Sequence, residues 1–176
     1  MISRMTDTDE TGSAQTSILC KSCGLCCTGH LFSWVRLKAS DLDASEALGL
    51  NVIRSDPRQR GFTQPCPLWD GTCIVYASPH YPRGCRNYQC KLLKEMVAGN
   101  AQLPVALDVV QEAMAMIADV EAHLPKSSKI SFRERLITLM ERGDAKADFH
   151  SKADALLRYF DHHFGVNDFF DSSERM

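Results

Sequence analysis

Eight cysteines, all between Cys20 and Cys90, constrain this 176-residue chain more than any other feature. No cysteine follows Cys90, so the thiols divide the chain into a cysteine-bearing and a cysteine-free half. The compartment decides how such a set is read. The Asp-, Thr- and Ser-rich start, Met1–Thr16, has no apolar stretch of the kind found in a secretory signal, so the expected location is the cytoplasm. Persistent disulfides are rare there, and thiols this densely placed in a reducing compartment argue for metal ligation over a disulfide framework.

The most specific spacing is Cys20-Lys-Ser-Cys23-Gly-Leu-Cys26-Cys27. Two-residue spacers allow successive turns to aim thiolates at one centre, and Gly24 permits the tight turn this needs. The x2, x2 triplet is like the opening of a ferredoxin cluster loop, whereas a single zinc more often takes two separated C-x2-C knuckles. Adjacent Cys26 and Cys27 are hard to place on one small ion because neighbouring side chains diverge, so one of the pair is expected to serve a second metal or a bridge. Cys66, Cys73, Cys85 and Cys90 follow at spacings that are unspecific singly. Together the eight suffice for two four-thiolate sites or one larger cluster. The C-x3-C-x2-C loop of radical enzymes is absent.

In order and spacing, CxxCxxCC, then Cys66-Pro-Leu with Cys73-Ile-Val-Tyr, then Cys85-Arg-Asn-Tyr-Gln-Cys90, resembles the CxxCxxCC cysteine-cluster family of zinc- or iron-chelating proteins, the YkgJ-like family. The resemblance covers residues 18–95 and takes in all eight cysteines. The chain departs from the pattern at His80-Tyr81-Pro82-Arg83, where the family carries Arg-Pro; Arg83 is the nearest substitute. The resemblance implies a metal-binding domain, with members described as iron–sulfur proteins and relatives described as flagellin lysine methylases.

Beyond the thiols the chain is ordinary, with 44% hydrophobic and 24% charged residues. Its net charge of −2 gives no basis for broad capture of nucleic acid, and no apolar run approaches the roughly 18 residues of a membrane helix. Neither nucleic acid nor membrane is therefore an expected partner. The expected fold is mainly α, with a small irregular metal-stabilised cysteine-rich module containing a short β-hairpin. Residues 1–17 read as a disordered tail, 18–98 as the module and 99–176 as a helical extension packing on it.

Within the module, Leu31–Leu37 reads as a short strand and Ser40–Leu48 as a helix stopped by Gly49, with Ser40 as N-cap. Residues 51–64 read as a loop. Cys66–Tyr76 reads as a hairpin turning at Asp70-Gly71, residues 78–84 as irregular, and a helix is expected from about Asn87. Three helical stripes follow: Val109, Val110, Ala113, Met114, Ile117, Val120 and Leu124; then Phe132, Leu136, Ile137, Leu139 and Met140; then Phe149, Ala153, Leu156, Leu157, Phe160 and Phe164.

The expected function is a cytosolic metal-binding protein holding an iron–sulfur cluster, [4Fe-4S] among the forms, or Zn²⁺ through Cys20, Cys23, Cys26, Cys27, Cys66, Cys73, Cys85 and Cys90. Redox or cluster-dependent roles follow from iron, a structural or docking role from zinc. Two alternatives belong to other classes: a protein lysine methylase-like enzyme, and a zinc-stabilised adaptor that holds a protein partner through its helical half. A G-x-G-x-x-G loop is absent, and no catalytic residue is identified. Eight thiolates around two Zn²⁺ ions or two [4Fe–4S]²⁺ clusters would carry about −4. Lys21, Arg83, Arg86 and Lys91, each within two residues of a cysteine, are candidates to balance that charge; the plain alternative is surface charge.

Other residues read more simply. His30 and His80 can ligate zinc but are supernumerary beside eight thiols. His162-His163 reads as surface, Asp70 as the first residue of a turn, and Trp34 and Trp69 as packing residues able to shield a cluster. Arg54, Arg58 and Arg60 read as a solvated loop and Met114, Met116 and Met140 as core. A nucleophilic role for Cys26 or Cys27 lacks a recognisable His or acid partner.

Overall fold

The structure is a computed structural model and describes residues 7–143 and 145–166. About 52% is helical, with one three-stranded antiparallel sheet. The first helix, α1 (Asp7–Cys23), leads into a turn, strand β1 (Trp34–Arg36), a 3₁₀ turn (Ala39–Asp41) and α2 (Leu42–Ala47). Strands β2 (Val52–Ile53) and β3 (Gly61–Thr63) precede two short helices, α3 (Arg83–Asn87) and α4 (Lys91–Val97). Three longer helices close the chain: α5 (Leu103–Glu121), α6 (Phe132–Arg142) and α7 (Ala147–Phe164).

The apolar stripes of the last three helices fold as their periodicity dictates. Ala106, Val110, Ala113, Ile117 and Val120 recur along one face of α5 and are buried, and Phe149, Ala153, Leu156, Leu157, Phe160 and Phe164 do the same on α7. Met114 is the exception, with 43% of its surface exposed on the outer face of α5. Helix α6 starts where the Ser131 hydroxyl accepts the Glu134 N–H at 3.2 Å, and it ends at Gly143, whose φ of 68° suits a left-handed stop.

Two apolar cores result. The larger unites Leu19, Leu25 and Leu31 with Leu92, Met96 and the inner faces of α5, α6 and α7. Residues on both sides of position 98 therefore share one core. The smaller core is Leu37, Leu42, Leu50 and Phe62, under the sheet. Strand order is β1-β3-β2, with Val35 opposite Phe62 and Phe62 opposite Val52.

Several local expectations are corrected. Residues 7–17 of the expected tail are helical, because once the Leu19 end of α1 is fixed by packing each further residue adds a hydrogen bond at little cost; the first six residues lie outside those described, as do 167–176 of the expected extension. The 51–64 loop holds β2 and β3, too short to show a period. The Asp70-Gly71 turn closes only a Trp69–Cys73 bridge, not a hairpin. Beyond it the chain curls through Ile74 N–H to Leu68 C=O (3.2 Å) and Ser78 N–H to Val75 C=O (2.9 Å); with no sheet face to cover it, Ile74 stays 62% exposed. The helix expected from Asn87 is two helices, with Cys90 capping the second in extended conformation. The Ser40 hydroxyl donates to Asp41 Oδ1 (3.0 Å) and caps no helix.

Candidate metal centre

The geometry of the thiols begins at the C-terminal end of α1. Cys20 and Cys23, three residues apart, share a face of that helix. Gly24 then takes a φ of 66°, and a Cβ there would lie 2.1 Å from the Trp69 ring. Glycine is required for both reasons: the left-handed turn and the indole lying on the backbone. Trp69 thus covers the thiol-bearing turn, and Trp34 packs in the sheet against Gly61.

After Gly24 the chain makes a helical turn, with Thr28 N–H on Gly24 C=O at 2.8 Å and Gly29 N–H on Cys26 C=O at 3.2 Å. Successive residues in such a turn are rotated by about 100°. Cys26 and Cys27 accordingly point to different neighbours. Cys23, Cys26 and Cys90 pack on the larger core, whereas Cys66 and Cys85 pack on the smaller one. A Cys66 N–H to Cys27 C=O hydrogen bond of 2.7 Å brings the Cys66 loop against Cys27.

All eight cysteines are partly buried and none forms a disulfide. Burial pushes the Cys20 thiol up to about 11, helped by Cys90 and then Cys73. It pushes Cys23 up to about 12, with Cys90 and Cys20 adding to the shift, and raises Cys26 well above the usual range, with Cys23, Cys90, Cys27 and Cys20 adding. Cys27 is raised by burial and then by Cys66, Cys73 and Cys85, with Cys20 the weakest neighbour. Burial takes Cys85 to about 12, with Cys66, Cys73 and Cys20 contributing. These thiols resist ionisation, the reverse of what a nucleophilic or redox cysteine needs. A cation among them reverses that balance, because it displaces the protons and supplies the missing charge.

Three thiols also face backbone N–H groups two or three residues on: Cys23 that of Leu25, Cys66 that of Leu68, and Cys90 those of Leu93 and Leu92. Each favours the charged sulfur and partly offsets burial. The repeated Cys-x-Leu, at residues 23–25, 66–68 and 90–92, is legible in the sequence and is the local signal for these contacts.

A cavity of about 50 Å³ lies among Cys20, Cys23, Cys26, Cys27 and Cys90, floored by Leu19 and Leu25. About 10–15 Å³ holds one water, so this space has room for an ion or a compact group, and a second pocket of about 270 Å³, lined among others by Cys20, Tyr81 and Cys85, adjoins the thiols. The donor chemistry and this space fit a thiolate-held metal. Among the described residues, however, no three His, Cys, Asp or Glu side chains stand in the mutual geometry of a ligand shell.

The charged candidates separate. Lys21 Nζ stands 5.7 Å from the centre of the Tyr76 ring, and the Arg86 guanidinium stands 5.7 Å from that of Tyr81. Arg83 pairs instead with Asp41 at 3.9 Å. Lys94, which sequence reasoning missed, favours the charged form of Cys90 from one turn along α4. Tyr81 was also missed as part of the site; burial, then Cys85, Cys20, Cys73 and Cys27, raise its hydroxyl far above the usual range, so it stays a neutral donor amid the thiols.

His30 is turned away from them: its ring meets Phe132 at 5.0 Å and its Nδ1 pairs with the Thr28 hydroxyl, while burial lowers its pKa to about 4. His80 is exposed, as are Arg54 and Arg58; Arg54 pairs with Asp43 and Glu46 and Arg58 with Asp56. His163 stacks on Tyr159 at 4.3 Å. Among the described residues no helix is long and apolar enough to cross a membrane. Comparison with models of known protein families, with curated proteins and with solved structures finds no match.

Proposed function

We propose that this chain is a metal-binding protein of a reducing, cytoplasmic compartment, holding an iron–sulfur cluster or zinc through its eight cysteines. The observation that carries the reading is that half-buried thiols from α1, the turn after it, the Cys66–Cys73 loop, α3 and the cap of α4 lie near enough to raise one another's pKa. The CxxCxxCC resemblance points the same way. A cavity bordered by five of the thiols, three sulfurs facing N–H donors and neighbouring cations suit a concentrated thiolate charge. Iron would supply redox or cluster-dependent chemistry there, and zinc a closed scaffold. The chain's own residues hold the group, shield it with Trp69 and donate to it from Tyr81 and the Cys-x-Leu amides.

Anaerobic purification tests this, with iron, zinc and acid-labile sulfide quantified beside a visible spectrum. Brown protein with matching iron and sulfide makes a redox role the leading one; colourless protein loaded with zinc makes it a scaffold. Metal-free protein with eight freely alkylated thiols, unresponsive to either metal on reconstitution, ends the reading.

A further inference from the structure

We infer that the eight cysteines form two separate four-thiol centres, Cys20, Cys23, Cys26 and Cys90 in one and Cys27, Cys66, Cys73 and Cys85 in the other, divided at the Cys26–Cys27 peptide bond. This rests on the metal-binding reading and says how the ligands are shared. The helical turn after Gly24 rotates neighbouring side chains apart, so Cys26 and Cys27 do not face one centre. Cys26 shares the larger core with Cys23 and Cys90, while Cys66 and Cys85 sit on the smaller core, and Cys73 joins them through its electrostatic effect on Cys27 and Cys85. The 2.7 Å hydrogen bond from Cys66 N–H fastens the second loop to Cys27 itself. The cavity beside α1 is walled by all four thiols of the first set and touches only Cys27 of the second.

The two sets are unequal in support. The first stands on α1 and the start of α4, helices packed together and on α5 and α7. The second is drawn from a turn, a loop bridge and the five-residue α3, above a four-residue core. Its metal therefore does more of the work of holding the surrounding chain, and it is the one lost first. Each centre takes up one Zn²⁺ by exchanging four thiol protons for four sulfur–zinc bonds, with no redox change.

The test uses the full chain, reduced under anaerobic conditions and titrated with Zn²⁺. Wild type is expected to hold two zinc ions. The pair Cys26→Ser with Cys90→Ser halves that, the pair Cys27→Ser with Cys66→Ser also halves it, and Cys26→Ser with Cys27→Ser abolishes it. Loss of both ions from either same-set pair, or retention of one by the Cys26/Cys27 pair, overturns the division. A second measurement needs no variant: zinc-loaded wild type is alkylated during chelation and its cysteines mapped by mass. Cys27, Cys66, Cys73 and Cys85 should become reactive as a block ahead of the other four; reactivity crossing the two sets overturns it. One zinc shared by the whole group leaves metal binding standing and ends the division, whereas no zinc, together with no iron, ends both.

Discussion

The helical side and the sheet side of this molecule carry thiols on very different foundations. Among the described residues the helical core buries twenty apolar side chains, four of them phenylalanines, against four beneath the sheet. Burial of a large apolar side chain contributes about 1.5–3 kcal/mol before chain entropy is subtracted. The sheet side has far less apolar support, with strands of two or three residues. The difference teaches that two groups of thiols in one chain can rest on very unequal apolar support.

The largest effect that would break this comparison is metal removal. Structural zinc in small modules supplies roughly 10–16 kcal/mol, so chelation should expose residues 52–87 to protease and hydrogen exchange while α5 and α7 stay protected. Uniform loss across the chain, or none after verified metal removal, removes the distinction. Next comes Phe160→Ala, which empties a fully buried position in α7 and should cost about 3–5 kcal/mol in a denaturant melt, unfolding both sides because the first thiol set rests on the same core. A loss under 1 kcal/mol would mean the helical side is not the foundation.

Third is His30, which ties the thiol-bearing turn to Phe132 of α6. Burial is the main cause of its lowered pKa of about 4, with Glu121 opposing and Arg135 adding to the shift. The unfolded chain binds this proton more readily, so the contribution is complete above about pH 6.5 and is lost as pH falls toward 4, amounting to about 3 kcal/mol. Melts of the metal-free chain across that window should show the fall, and His30→Gln should flatten it. An equally steep profile in the variant would assign the acid sensitivity elsewhere. Smallest is Ser131→Ala, expected to cost about 1 kcal/mol through the lost cap with metal content unchanged. Loss of metal from that variant would show that the α6 start, not α1 and α4, positions the turn.

The helical stripes were legible because an α-helix writes its buried face into a local period, and Val110, Ala113, Ile117 and Val120 obey it. The sheet was not, since Phe62 earns its place by meeting Val35 and Val52 across strands too brief to alternate. The hairpin expectation at Asp70-Gly71 failed for a related reason: a turn signal fixes where a chain reverses, but only a neighbouring surface decides whether the arms pair. Tyr81 joined the thiols unannounced, because nothing in Pro-rich local sequence says what the loop lies against.

By itself the sequence determined the number and spacing of the thiols, the turn at Gly24 and the divergence of Cys26 from Cys27, all properties of covalent order and local backbone geometry. Tertiary structure alone decided that Cys90 returns to Cys20, Cys23 and Cys26 while Cys66, Cys73 and Cys85 gather near Cys27. Those meetings join residues far apart in the chain, and they are set by which core each element must cover.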